Sequence, residues 1–438
     1  MRETVIQFGE GNFLRGFFDY FLDVINKQGL YDGRAVIVQP RAGGKCALLN
    51  EQDCKYNLYL RGIENGEIKS EHHFIESISR CVDPYINFEA YIALADNPDF
   101  RFIVSNTTEA GIKFDDTCKL DDKPCKSFPG KLTQLLYKRY KNGLNGFIIL
   151  PCELIDNNGA ELKSCVLKYA ELWNLESEFI AWLENENHFV NTLVDRIVTG
   201  YPNDETTNIH PDDKFLDTAE IFHLWVIEDN FENELPLKKT GFNVVWTDDV
   251  KPYKKIKVRI LNGAHTSLVA AALLSGIETV GKAMNDEITS AFLNKCMKDE
   301  ILPTIGEDDE SIAFANSVFD RFRNPFIQHK WRSIALNSVS KFSVRVLPTL
   351  LEYKEKNRVY PKCLTLALAN LIYFYKNDNP DDAENIVATM KKDSIADILK
   401  NTLLWQTDLS DMTKTVTEYY NKIDTLGAKE TMKWILSE

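Results

Sequence analysis

Short apolar runs alternate with amphipathic stretches through the first half of the chain. Thr4–Phe8 has the continuous apolar character of a buried strand, and Phe13, Phe17, Phe18, Phe21, Leu22 and Ile25 then recur at helical spacing. Ala35–Gln39, Phe102–Ser105 and Gly146–Leu150 repeat the strand pattern, while Phe88–Leu94, Lys131–Lys141, Ala160–Trp173 and Glu176–Asn185 read as helices. Asn57–Ile63 and Glu67–Ile75 pair as a hairpin through the turn Glu64-Asn65-Gly66, and Asp195–Val198, Ile221–Glu228 and Phe242–Trp246 add further strands. From Lys257 onward the strand pattern fades. Glu287–Lys298, Asp308–Arg321, Cys363–Phe374, Ala383–Met390, Ile395–Leu404 and Met412–Leu426 are amphipathic helices. Alternating strands and helices predict an α/β domain with a mostly parallel sheet over residues 1–250, and the remainder a mainly α-helical domain over 251–438. A chain of 438 residues exceeds what one hydrophobic core usually serves, which agrees with two domains.

Composition narrows the function more than the fold. A net charge of −14 argues against a nucleic-acid grip, and it requires any anionic substrate to find a local basic pocket. No apolar run approaches the length of a membrane span, and the N-terminus shows no signal-peptide pattern, so no membrane association is expected and a cytoplasmic location is. The nine cysteines form no Cys-x-x-Cys pair and have no histidine clustered with them. Reduced thiols are therefore expected, without a disulfide framework or zinc site. Cys118 and Cys125, in a polar loop, are the only pair close enough to question. No carboxylate–histidine cluster has ligand spacing, so no metal is expected.

The chemistry concentrates in two stretches. The first is Gly9-Glu10-Gly11-Asn12-Phe13-Leu14-Arg15-Gly16, between a predicted strand and a predicted helix. That is the Rossmann-like context of a dinucleotide fingerprint, in which glycines admit a pyrophosphate to the backbone and a helix N-terminus faces it. The third glycine falls two residues late for the standard template. The candidate cofactor set is Phe8, Gly9, Gly11, Asn12 and Phe13, with Gln39 at the end of the second strand, and Thr107, Thr108 and Glu109 at the carboxyl end of a later one. An acidic residue usually holds the ribose at the position of Gln39; Arg41 nearby would suit a 2′-phosphate, so the choice between NAD and NADP stays open on these residues.

The second stretch is Lys257-Val258-Arg259-Ile260-Leu261-Asn262-Gly263-Ala264-His265, which places an amine, a carboxamide and an imidazole within nine residues. On a regular helix His265 sits about 80° and Asn262 about 140° from Lys257, so all three fit one flank. A helix start with an ordinary basic residue and a packed histidine explains the same spacing. The stretch gains its functional reading from the rest of the chain.

Collinear blocks across nearly the whole length make the chain resemble the long-chain polyol dehydrogenases, the mannitol 2-dehydrogenase group. The blocks include Gln7–Gly16, Val38-Gln39-Pro40, Ser105–Gly111, Pro151–Ile155, Val194–Val198, Lys257–His265, Arg321–Phe326 and Leu336–Phe342. The resemblance implies a hydride transfer between NAD and a small substrate. It assigns Lys257 as general acid/base, Asn262 as donor to the reacting oxygen and His265 as holder of a neighbouring hydroxyl. The mannitol enzymes carry a second asparagine near Leu154 and a glutamate three residues before the lysine, where this chain has Lys254. Both departures point to the branch of the family that acts on uronates, sugar acids whose carboxylate calls for a basic partner. Arg323, Lys341 and Arg345 are the candidates for that partner. A monomer is compatible with every part of this reading.

Overall fold

A computed structural model describes every residue except Asn65, Glu109, Asn203 and Glu307. The tip of the predicted hairpin at Asn65 and the cofactor candidate Glu109 thus lie outside the described residues. The chain divides into two compact units, Met1–Arg61 with Lys69–Val250, and Gly62–Ile68 with Lys251–Glu438.

The first unit is built on a six-stranded sheet in the order Ile78–Val82, Gly33–Val38, Arg2–Phe8, Phe102–Ser105, Ile148–Pro151, His188–Phe189, every neighbour parallel. Its central strands are near-continuous apolar runs because both faces are covered. Val5, Ala35, Ile37, Phe102 and Val104 face one core, and Ile6, Val36, Val38, Ile103 and Ile149 the other. The strand order reverses between Arg2–Phe8 and Phe102–Ser105, and in open α/β sheets ligands bind outside the carboxyl ends of strands at such a point. A four-stranded sheet contains Tyr56–Glu64 and Glu67–Ile75, with Asp217–Glu220 and Val198–Gly200 beside them. A three-stranded sheet joins Thr192–Asp195, Leu224–Glu228 and Val244–Thr247. The apolar stretch expected as one strand at Asp195–Val198 is thus two, broken at Arg196-Ile197 and shared between sheets.

The helix expected after the glycine turn is also divided, into Asn12–Arg15 and Phe18–Lys27. A Cβ on Gly16 would lie 2.9 Å from a Val198 methyl, so the glycine lets the neighbouring sheet press against the chain here. Phe17, at the break, packs its ring against Phe13, Phe21 and Trp225.

Beneath that break lies a buried ionic cluster. Arg15 stands 3.6 Å from Asp217, and the Tyr56 hydroxyl reaches the Arg15 carbonyl and an Asp19 carboxylate oxygen. Burial pushes both Asp19 and Asp217 up to about 7. A carboxyl whose pKa is raised on folding adds stability that is complete below its unfolded value and lost as pH rises through the folded one. Asp19→Asn should therefore gain stability relative to the wild type between about pH 4 and pH 7, by roughly 2–4 kcal/mol in total. Groups common to both proteins cancel in the difference. Denaturant titrations of both proteins across that range check it, and a constant difference refutes it.

The second unit is helical. Lys251–Lys257, Val258–Asn262 and Gly263–Leu274 form one continuous run, and Gly263–Leu274 packs on Lys362–Asn377, another largely buried helix. The first free amides of that buried helix, Cys363 and Leu364, donate to the carboxylate of Glu300 at 2.7 and 2.8 Å. A carboxylate at a helix N-terminus is favoured by the helix dipole. Two expected helices are interrupted: Glu287–Lys295 passes into a π-helical turn at Cys296–Ile301, and the stretch from Ile395 divides at Asn401. Among the described residues no helix is long and apolar enough to cross a membrane.

Candidate active site

In the first unit a cleft of about 730 Å³ opens at the carboxyl ends of the central strands. Residues 9–13 form its floor, Pro40 and Arg41 one side, and residues between Asn106 and Phe128 the other. Gly9 adopts φ +127°, a conformation open in practice only to glycine, and a Cβ there would lie 2.9 Å from the Asn106 carbonyl oxygen. Gly11 caps Asn12–Arg15 without a side chain, and a Cβ on it would meet nothing within 4 Å. Backbone amides and open space at this turn suit a pyrophosphate.

Two buried side chains hold the cleft in shape. Arg15 donates to the Glu10 carbonyl at 2.7 Å and to Asn12 Oδ1 at 2.8 Å, pinning the glycine turn from behind. Glu153 accepts from the Thr107 amide and hydroxyl and from the Ser105 hydroxyl, each at 2.9 Å. Burial raises the Glu153 pKa while these three donors pull it down. The same segment is tied by Asn106 Nδ2 to the Cys152 carbonyl at 2.7 Å, and Thr108 takes φ +81°. Arg15→Met should loosen the turn and leave Asp217 without its buried cation, lowering the melting temperature and, roughly tenfold, the dinucleotide affinity. Fluorescence titration with NADH reads this, and unchanged affinity refutes it.

In the second unit the Lys257 stretch departs from the regular helix assumed above. Val258–Asn262 is a π-helical turn, in which each residue advances the helix by less than in an α-helix. The rotation from Lys257 to Asn262 is correspondingly smaller, which draws the amide back toward the lysine's flank. Such turns recur at functional sites. Arg259, inside the turn, grips Glu352 with both guanidinium nitrogens at 2.6 and 2.7 Å. Lys257 and Asn262 are half-buried, and His265 is buried. The His265 ring stacks on Phe322 at 4.1 Å, with His329 at 5.1 Å, and its Nε2 has no hydrogen-bond partner among the described residues. Burial lowers its pKa well below the usual range, helped by the charges of His329, Arg321 and Arg345. A neutral imidazole with an unmatched nitrogen is equipped to hold a hydroxyl group.

Residues 3–239 match the mannitol dehydrogenase Rossmann domain, and residues 249–427 match the mannitol dehydrogenase C-terminal domain. The chain belongs to the mannitol dehydrogenase family. Among similar relatives, altronate oxidoreductase of Pectobacterium atrosepticum is 46% identical over 92% of this chain and 85% of its own length. Altronate oxidoreductase of Bacillus subtilis is 42% identical over 98% and 95%. A crystal structure of D-sorbitol dehydrogenase in substrate-free form matches with a TM-score of 0.88 at 22% identity, covering 99% of this chain and 95% of that one. Pseudomonas fluorescens mannitol 2-dehydrogenase, in a ternary complex with NAD and D-mannitol, matches with a TM-score of 0.75 at 24% identity, covering 100% and 95%. These structures share the fold, a Rossmann-like domain with a parallel sheet followed by a mostly helical domain.

Against this family frame, the cofactor candidates separate. Gly9, Gly11, Asn12, Phe13, Thr107 and Thr108 line the cleft. Phe8 lies behind it, fully buried against Tyr91 and Phe128. Gln39 is also buried, and its amide is committed within the protein: Nε2 donates to the Arg41 carbonyl and to Asp83, and Oε1 accepts from the Cys46 amide. It shapes the neighbourhood of Arg41 and does not line the cleft. The substrate candidates separate too. Lys341 Nζ donates to the Ile334 carbonyl at 2.9 Å, and its pKa is lowered by burial and by Arg345. Arg345 acts on His265. Arg323 is exposed, its guanidinium 5.9 Å over Phe319, whereas its neighbour Arg321 is buried and acts on His265. Sequence reasoning did not single out Arg15, Glu153 or Arg321. Each sits inside a family block quoted above, so the signal was a buried-charge residue type within a motif whose other members had roles.

Proposed function

We propose that the chain catalyses the reversible, NAD-dependent reduction of the keto-uronate tagaturonate to altronate. The observation carrying this is the set of altronate oxidoreductase relatives, 42–46% identical along nearly the full chain. The cleft over the glycine turn fits a dinucleotide, with Gly9 and Gly11 leaving backbone room for the pyrophosphate. The nicotinamide of such a dinucleotide would supply the hydride for the substrate's ketone carbon. Lys257 gives the ketone oxygen its proton during reduction and takes it back during oxidation, the task of a partly desolvated amine. Asn262 donates a hydrogen bond to the same oxygen as charge develops on it, a class of contact worth roughly 3–4 kcal/mol. Its companion asparagine in the mannitol enzymes is absent, so Asn262 is the carboxamide of the site. His265 holds an adjacent hydroxyl through its unmatched Nε2. Arg345 and Lys341 supply positive charge for the uronate carboxylate, which an acidic protein must otherwise repel.

Loss of NADH absorbance with tagaturonate, fructuronate and fructose as separate substrates tests the reading. Turnover is expected to be fastest with tagaturonate. A preference for fructuronate would move the substrate to the mannonate series, and no oxidation of NADH or NADPH with any of the three would overturn the assignment. NADPH in parallel decides whether Arg41 admits a 2′-phosphate.

A further inference from the structure

The polar loop that carries Cys118 and Cys125 has no part in the chemistry above, yet it is built with care. The Cys118 and Cys125 sulfurs and an Asp122 carboxylate oxygen all lie within 4.8 Å of one another, both thiols buried and the carboxylate half-buried. The spacing is Cys-x-x-x-Asp-x-x-Cys, with no histidine and no Cys-x-x-Cys pair.

The loop backbone is held in the conformation that brings these groups together. Gln134, buried, donates to the carbonyls of Leu120 and Asp122 at 2.9 and 2.8 Å and accepts from the Cys125 amide at 3.3 Å. Trp173 Nε1 donates to the Cys118 carbonyl at 3.0 Å. The Asp122 carboxylate is fixed by the Lys119 amide at 2.8 Å, and the Lys119 carbonyl stands 3.2 Å from the Cys125 sulfur. Two sulfurs, a carboxylate oxygen and a nearby carbonyl make four donors, the number a tetrahedral site takes, and thiolates select zinc over the hard cations. Charge nearly balances as well: two thiolates and a carboxylate around a dication leave one negative charge, and the side chain of Lys131, whose Nζ donates to the Lys126 carbonyl next to Cys125, is buried beside the loop.

We propose that Cys118, Asp122 and Cys125 form a structural site for a tetrahedral divalent cation of the zinc class. It staples the segment whose flanks, Phe114–Asp116 and Lys126–Phe128, form one wall of the cleft. The ion replaces the thiol protons, with the Lys119 carbonyl or a water as fourth ligand.

Cobalt titration of the full-length, chelator-stripped protein in a phosphine reductant tests this. Saturation at one ion per chain is expected, with the visible and near-ultraviolet bands of tetrahedral cobalt thiolate, and displacement by zinc. The Cys118→Ser/Cys125→Ser double variant should lose the bands, and Asp122→Asn should bind at least roughly tenfold more weakly. Zinc should also slow amide hydrogen exchange across residues 115–127 in the wild type and leave the double variant unchanged. Absence of the bands would overturn the site, as would their persistence in the double variant, which would place the ion elsewhere. A Cys118–Cys125 disulfide in the protein as isolated, read by mass spectrometry, would also overturn it.

Discussion

Replacing Lys257 by alanine is expected to lower turnover roughly 10²–10⁴-fold, the usual contribution of a positioned acid/base. NADH binding should survive, because the glycine turn and the Arg15 contacts that hold it are formed by residues of the first unit. The fold should survive as well. The apolar anchors of this helical run are Ile260, Leu261, Ala264 and Leu268, and the ion pair that secures its π-helical turn is Arg259–Glu352. The split between binding and turnover is what makes the experiment informative: a residue that merely stabilised the helix would lower thermal stability and leave the rate per folded molecule unchanged. Stopped-flow turnover beside NADH fluorescence separates the two. Near-normal turnover would remove Lys257 from its role.

The second large effect is expected at Gly9. Alanine there must hold φ near +127° and bring its Cβ to 2.9 Å from the Asn106 carbonyl oxygen. That carbonyl has little room to retreat, since Asn106 is tied through its amide to the Phe8 carbonyl at 3.1 Å and through its side chain to Cys152. Backbone strain of this kind costs about 1–3 kcal/mol. Relief by moving the turn would cost dinucleotide affinity, tenfold for about every 1.4 kcal/mol. Gly9→Ala should therefore lose both melting temperature and NADH affinity. Gly11→Ala is the control: with φ −71° and no atom near its new methyl, it should melt like the wild type while the methyl occupies cleft space and weakens NADH alone. Equal behaviour of the two variants would refute this account of the turn.

Much of the architecture was legible because it is written in local periodicity. The central strands appear as unbroken apolar runs since both sheet faces are covered, and the later helices show their 3.6-residue stripe since one face is buried. Boundaries moved where a distant element intruded. Val198 pressing on Gly16 divided the first helix, and Arg196, donating to the carbonyls of Gly16 and Glu220, divided an expected strand. Of the residues expected at the cofactor, Gly9, Gly11, Asn12, Phe13, Thr107 and Thr108 do line the cleft, because each follows the end of a strand that the local pattern reveals, and at Gly9 the backbone itself demands the residue type. The role was not legible at Gln39, where exposure decides between binding and scaffolding, and exposure is not a local property.

By itself, then, the sequence determined the order and kind of most elements, the glycine turn and the Lys257–Asn262–His265 spacing, which rest on residues within a few positions of one another, and the family, which rests on such local blocks in one collinear order. Only the tertiary structure decided which charges support those motifs. Arg15 reaches Asp217, Glu153 reaches Ser105 and Thr107, and Gln134 closes the loop around Cys118 and Cys125. Each pairing joins groups from different elements, and what makes it strong is removal from water, which the fold imposes and no local pattern records.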